Sequence, residues 1–279
     1  MSSNPSRKLA PSLSRPQFLA FAVGSAVGWG SLVVTANTYL TEAGPLGSVL
    51  GLVIGGLIML LISRSYAYLM QVYPDAGGAY TYARESFSHD HGFLTGWFLA
   101  LVYLAILWAN ATSIPLFFRN FVGPFFEFGK MYTLFGYDVY LGETLLTMAV
   151  ILMTALLCIR SKKGPVMLMT VLVGVFVLGI LAAFLGSFLS LKGSLSPAFT
   201  PDTSALKQIL DIAIISPWAF VGFESVSHSA EELKFKNTCL FRCLVMAIAV
   251  ITLLYGLVTL LSVTAYPAQY GSWLEYIRI

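Results

Sequence analysis

Apolar positions in this chain come in long uninterrupted runs, without the alternation of a half-buried strand or the one-sided stripe of a surface helix. Seven runs are free or nearly free of charge: about Pro16 to Thr41, Pro45 to Leu69, Gly92 to Phe118, Val139 to Ile159, Gly164 to Leu191, Ala205 to Ala230 and Cys243 to Pro267. The hydrocarbon core of a bilayer is about 30 Å thick and a helix rises about 1.5 Å per residue, so roughly 20 apolar residues span it. The pattern therefore predicts seven membrane helices within residues 16–267, flanked by tails at 1–15 and 268–279. The sixth run is the least apolar, because Asp211 and Glu224 lie inside it.

Composition agrees with the pattern. The chain is 57% hydrophobic and 10% charged, with a mean hydropathy of +0.80, far from a soluble domain. Basic residues concentrate in cytoplasmic loops. With the N-terminal tail inside, that side collects Arg7, Lys8, Arg15, Arg64, Arg84, Arg160, Lys162, Lys163, Lys234, Lys236 and Arg242, and the other side has Arg119, Lys130, Lys192, Lys207 and Arg278. The bias of 11 to 5 predicts a cytoplasmic N-terminus, an extracytoplasmic 268–279 tail and a multi-pass protein of the plasma membrane. Such loops also account for the net charge of +3, so no nucleic-acid partner is needed. Arg7, Lys8 and Arg15 precede the first run as they would a signal peptide, but the run is longer than a signal core and reads as the first membrane helix. Cys158, Cys239 and Cys243 read as small packing residues, since no histidine or third thiol accompanies Cys239 and Cys243. No cofactor or metal is expected.

The first run carries Gly24, Gly28 and Gly30 at its centre. A glycine costs about 1 kcal/mol relative to alanine in a helix interior, so three within seven residues invite unwinding. The competing reading is packing, since Gly24 and Gly28 form a G-x-x-x-G pair, as Gly51 and Gly55 do in the second run. The sixth run shifts the balance: Pro217 removes a donor, Gly222 loosens the chain, and Glu224 is an acid in apolar surroundings, costing roughly 2.5 kcal/mol or more unless it is paired or protonated. Unwound backbone inside a membrane must line a cavity or be buried in protein. Two interrupted helices five spans apart point to a transporter built from inverted five-helix repeats, with its site at the breaks. Free N–H groups there suit a carboxylate and free carbonyls an amine, so a zwitterionic amino acid or an amine fits. Trp218, Phe220 and Phe223 supply apolar surface for a side chain, with lipid or core packing as the alternative, and Trp218 is placed to close over the site.

At these residues the chain resembles the amino acid-polyamine-organocation superfamily. "GWGSLV" (Gly28–Val33) is similar to its glycine-rich first-span motif, "WAFVGFES" (Trp218–Ser225) to its sixth-span motif, and "YPDAGGAYTYARESF" (Tyr73–Phe87) to the stretch in which members begin a short helix leading into the third span. The resemblance implies an all-α polytopic fold of five-plus-five inverted repeats with discontinuous first and sixth helices. It also implies a permease for amino acids or related amines, working by alternating access through symport or antiport with a coupling proton or cation. It places the substrate carboxylate on the backbone of Gly28, Trp29, Gly30 and Ser31, and the amine on carbonyls near Trp218, Ala219 and Val221, with Phe220 and Gly222 also among the substrate-binding residues. Trp218 matches the occluding aromatic and Glu224 the coupling acid. Asn110 is either a substrate contact or an interhelical hydrogen bond, and His228, four residues beyond Glu224, either relays a proton or is a solvated helix end.

Three features depart from the family pattern. Trp29 stands where a small residue is usual, the fifth run lacks the lysine that replaces sodium in some proton-coupled members, and the chain ends soon after the seventh span. The last is read as truncation, with the second repeat missing its final three helices. A seven-helix receptor or sensor is the rival reading, opposed by the basic-residue bias. No nucleophile-base pair, metal cluster or phosphate loop suggests an enzyme, and a channel fits two broken helices around an acid less well than a permease does.

Overall fold

The computed structural model describes residues 10–134, 136–161, 163–189, 195–201, 203–235, 237–266 and 270–277. Arg7, Lys8, Lys162, Lys192, Lys236 and Arg278 of the charge count fall outside them, as does most of the 1–15 tail. The architecture is helical: α1 (Arg15–Ala26), α2 (Trp29–Val33), α3 (Tyr39–Val72), α4 (Ala79–Ser86), α5 (His89–Ala111), α6 (Ser113–Val122), α7 (Leu141–Arg160), α8 (Gly164–Leu189), α9 (Ala205–Ile215), α10 (Leu240–Thr264) and α11 (Trp273–Ile277). A two-stranded antiparallel hairpin, β1 (Lys130–Leu134) and β2 (Tyr137–Tyr140), adds the strands that the apolar runs do not reveal.

Among the described residues six helical stretches are long and apolar enough to cross a membrane: Tyr39–Val72, His89–Val122, Leu141–Arg160, Gly164–Leu189, Ala205–Glu232 and Leu240–Thr264. The first predicted span is not one of them, because its helix stops at Ala26 and resumes at Trp29. From there it continues through a π-helical turn over Val34–Thr38 and runs into α3, where Gly44 at φ 65° and Pro45 make the corner between the first and second crossings.

The chain divides into two compact units, residues 94–168 and the remainder. In the smaller unit a salt-bridge cluster ties the hairpin to the helix ends. The Arg119 guanidinium donates to both oxygens of the buried Glu143 carboxylate (2.7 Å to Oε2) and to the Asp138 carbonyl (2.9 Å), and stacks over Tyr137 with its central carbon 4.6 Å from the ring centroid.

In the larger unit the core lies among α1, α3, the sixth span and α10, with Phe18, Leu52, Ile212, Phe220, Phe223, Leu244 and Ile251 fully or almost fully buried. The second and sixth spans touch along a glycine stripe. A Cβ on Gly51 would lie 2.5 Å from Ile212 Cβ, and one on Gly55 would lie 1.7 Å from Ser216 Oγ. The G-x-x-x-G reading thus holds for Gly51 and Gly55, which let two helices approach closely. At the opposite end from the N-terminus, Trp273 is completely buried with Leu40 and Val263 and donates through Nε1 to the Pro197 carbonyl at 3.2 Å. Gln208, also buried, closes the same end by donating to the Thr200 and Thr203 carbonyls at 2.7 and 2.8 Å.

Gly51→Leu will overpack the α3–α9 contact and cost about 1–3 kcal/mol, seen as a lower thermal midpoint of the purified protein. Gly179→Leu, at a position with nothing within 4 Å of the new Cβ, serves as the matched control and leaves the midpoint close to wild type. Equal midpoints for the two variants would refute the stripe.

Candidate functional site

The site is built from two chain breaks that meet. α1 ends because Val27 and Gly28 are extended, with ψ of 93° and 172°, and the helix restarts when Leu32 N–H bonds the Gly28 carbonyl at 3.1 Å. The opening turn of any helix leaves its leading N–H groups without partners inside the helix, and here that turn is Trp29, Gly30 and Ser31. The sixth span breaks in turn: α9 ends at Ile215, Ser216–Phe220 forms a 3-10 turn around Pro217, and Val221 and Gly222 interrupt the helix before a second 3-10 segment over Phe223–Glu232.

Gly222 holds the two breaks together. It sits at φ 98°, and a Cβ there would lie 2.2 Å from the Ser25 carbonyl oxygen. Both the backbone angle and the space require glycine. On the other side of the break, the nearest atom to a Cβ on Gly30 is Trp218 Cη2 at 3.8 Å, so the indole stands across from the restart of the first span. Trp218, Trp29 and Val221 are exposed, at 52%, 39% and 40%, whereas Ala219, Phe220 and Phe223 are buried in the core. The apolar surface expected from Phe220 and Phe223 is thus core packing, and Phe220 lies edge-on to Tyr255 with ring centroids 6.2 Å apart.

Tyr255, on α10, is the residue that sequence reasoning missed. Its buried hydroxyl lies 2.9 Å from the Ala26 carbonyl and 2.7 Å from the Ala219 carbonyl, so one phenol serves the last turn before each break. One turn on, Thr259 donates to the Thr35 carbonyl at 3.1 Å, beside the π-helical turn. The available signal was Tyr255 and Thr259, two hydroxyl residues four apart and so on one face of a run that also carries Thr252, Ser262 and Thr264. Of the carbonyls expected to take an amine, that of Ala219 is engaged by Tyr255 and that of Trp218 by the Val221 N–H at 3.1 Å. Each keeps a second lone pair.

Glu224 turns back on its own break, with Oε2 accepting from the Gly222 N–H at 2.9 Å. Its Oε1 is buried without a hydrogen-bond partner, and so is the hydroxyl oxygen of the neighbouring Ser225. Buried polar atoms are nearly always bonded, so two adjacent exceptions at a chain break mark a place for a proton, water or ligand. His228 does not stack one turn above Glu224. The segment is 3-10, with three residues per turn, and His228 Nδ1 meets the Ala76 carbonyl at 2.9 Å, which assigns the ring proton to Nδ1. Asn110 belongs to the other compact unit, where its amide donates to the Ile106 carbonyl at 3.0 Å.

The Tyr73–Phe87 motif explains itself physically. Asp75 Oδ1 accepts from the Gly77 N–H and the Thr81 hydroxyl, both at 2.7 Å, which shapes the turn that starts α4. The turn is held on the end of the sixth span by Ala76, whose carbonyl meets His228 and whose N–H meets Glu231 Oε1 at 3.3 Å. Gly78, at φ 54°, lies where a Cβ would be 2.5 Å from Ser227 Oγ. Nearby, the end of the 1–15 tail is paired: Ser12 and Leu13 donate their N–H groups to the Glu232 carbonyl, both at 2.8 Å, and Lys234 N–H returns to the Leu13 carbonyl at 2.9 Å. His89 and His91 lie in the first turn of α5, with His91 Nδ1 2.8 Å from Ser88 Oγ.

Tyr255→Phe removes the shared donor, and hydrogen exchange will accelerate together at Val27–Ser31 and at Ala219–Gly222, with a loss of about 1–3 kcal/mol for the missing hydrogen bond. Acceleration at one break alone would sink the bridging role. The two donors to Asp75 hold its carboxyl below the usual carboxylate range. A depressed folded pKa contributes stability above the unfolded value of about 3.9 and loses it as pH falls through the folded value. The difference in thermal midpoint between wild type and Asp75→Asn will accordingly be widest near neutral pH and close in acid; a gap independent of pH contradicts the assignment.

Comparison with known proteins matches the amino acid permease family over residues 13–270. The chain is similar to a methylthioribose transporter of Bacillus subtilis, 26% identical over 94% of this chain and 57% of that one. It is also similar to the branched-chain amino acid permease BcaP of Lactococcus lactis, 22% identical over 91% of this chain and 56% of the relative. Over 63% of its length it is 27% identical to the low-affinity putrescine importer PlaP of Escherichia coli, covering 37% of that protein. The chain thus spans about half the length of the first two relatives. Two broken helices meeting at Gly222, six long apolar helices and a family match over nearly the whole chain give one conclusion: this is an integral multi-pass membrane protein that belongs to the amino acid permease family.

Proposed function

We propose that this chain forms the substrate-binding part of a secondary active transporter for amino acids or related amines, working by alternating access around the two breaks. The observation that carries the reading is the meeting of the breaks at Gly222 and Ser25, with the unpartnered Glu224 Oε1 and Ser225 Oγ beside it. In this reading the N–H groups of Gly28, Trp29, Gly30 and Ser31 receive a carboxylate at the positive end of a helix that continues to Ala43. The amine faces the Val221 carbonyl and the spare lone pairs of Trp218 and Ala219. Trp218, standing across from Gly30, covers the ligand, and Glu224 couples its arrival to protonation or helix movement. The N-terminus is cytoplasmic, the membrane is the plasma membrane, and the spans belong to a five-plus-five inverted-repeat fold of which this chain holds the first repeat and part of the second.

The relatives carry methylthioribose, branched-chain amino acids and putrescine by name, which supports a small polar solute and leaves the side chain open. A panel of amino acids and amines tests the reading through thermal stabilisation of the purified chain. A ligand present at about a hundred times its dissociation constant contributes about 2.7 kcal/mol to the bound state. Stabilisation by a related group of amino acids or amines is expected, together with its loss in Gly30→Leu, whose side chain points toward Trp218. Stabilisation that survives Gly30→Leu would place the ligand elsewhere and overturn the site.

A further inference from the structure

The second and seventh spans are packed together but leave a groove between them, away from the breaks. It encloses about 410 Å³, with Leu57 and Leu60 of α3 and Val245 and Leu253 of α10 among its walls. Gly56 and Gly256 deepen it, and Thr252 is the one polar side chain among its lining residues. Along α3 the groove runs from Val49 to Leu60, about 16 Å at helical rise, from one turn short of Arg64 past the middle of the span.

One helical turn beyond Leu60 stands Arg64, and one turn before Val245 stands Phe241. The Arg64 guanidinium carbon lies 5.1 Å from the centroid of the Phe241 ring, so these two residues meet at one end of the groove. Arg64 is exposed, and among the described residues no carboxylate pairs with it. Its depth follows from the helix: starting at Pro45, the 19 residues to Arg64 rise about 28 Å, roughly the thickness of the hydrocarbon core. The guanidinium therefore stands where lipid phosphates lie, on the same face of the membrane as the N-terminal segment.

We infer that this groove holds an anionic phospholipid of the N-terminal-side leaflet, with an acyl chain between α3 and α10 and its phosphate on Arg64. A guanidinium stacked on an aromatic ring keeps its in-plane N–H donors for a phosphate, which it binds in bidentate fashion. Charge complementarity decides among occupants. Any acyl chain fits the apolar walls, but an anionic headgroup alone neutralises the arginine, and basic sites between membrane helices at the headgroup level select such lipids. A second copy of the chain seated here would cover the guanidinium while offering it no established acid.

Native mass spectrometry of the purified full chain, presented with equal amounts of phosphatidylglycerol and phosphatidylcholine bearing identical acyl chains, tests this. Retained adducts are expected to favour phosphatidylglycerol. Arg64→Gln will lower that preference about fivefold, the influence of one basic residue near an anionic surface, and Arg64→Lys, which keeps the charge without the planar fork, will leave an intermediate preference. Gly256→Leu enters open space, with nothing within 4 Å of its Cβ, and will reduce adducts of both lipids by filling the groove. Equal retention of the two lipids, a preference unchanged in Arg64→Gln, or adducts unchanged in Gly256→Leu would each overturn the inference. A dimer that Gly256→Leu dissociates would overturn it too, by seating a second copy in the groove.

Discussion

A helix interrupted inside a bilayer exposes backbone N–H and C=O groups that lipid cannot satisfy, each at a cost of several kcal/mol. Two such interruptions occur here, and each is tolerated because the other is beside it. The Gly222 backbone rests against the Ser25 carbonyl, and the Tyr255 hydroxyl reaches the Ala26 and Ala219 carbonyls on either side. Burial against protein thus takes the place of helical hydrogen bonding. The glycine stripe on α3 then follows as a requirement, since only the absence of side chains at Gly51 and Gly55 brings α9 close enough to carry its broken end to this meeting point.

The same packing explains why polar atoms remain at the site. Most carbonyls near the breaks are engaged, but Glu224 Oε1 and Ser225 Oγ are not. Buried oxygens without partners are rare in a packed protein, and these two stand just after a chain break at which Trp218 and Val221 are exposed. Phe220 and Phe223, adjacent in sequence, belong to the core.

Much of this was legible in the sequence where conformation is encoded by residue type. Gly28, Pro217 and Gly222 announce their breaks, because glycine and proline limit what the backbone can do regardless of neighbours. The membrane runs were equally plain from apolar length. What was hidden depended on partners far along the chain. Nothing local to Tyr255 reveals that its hydroxyl meets carbonyls 229 and 36 residues away. The four-residue spacing of Glu224 and His228 misled because it presumes an α-helix, and the segment winds more tightly. The hairpin at Lys130–Tyr140 escaped because short strands among long apolar runs leave a weak signal. The pairing of Ser12 and Leu13 with the end of the sixth span was hidden because most of it is main chain to main chain, which no side-chain pattern records.

That main-chain pairing has a mechanical meaning. The N-terminal half of the first crossing is stitched to the end of the sixth through Ser12, Leu13, Glu232 and Lys234, and is pressed against it again at Ser25 and Gly222. Two attachments near the ends of a pair of rods make a frame with little freedom to shear. Each rod also ends at a break in its helix, Val27–Gly28 in one and Val221–Gly222 in the other. The two half-helices are therefore braced as one unit, and a load applied to either is borne by both.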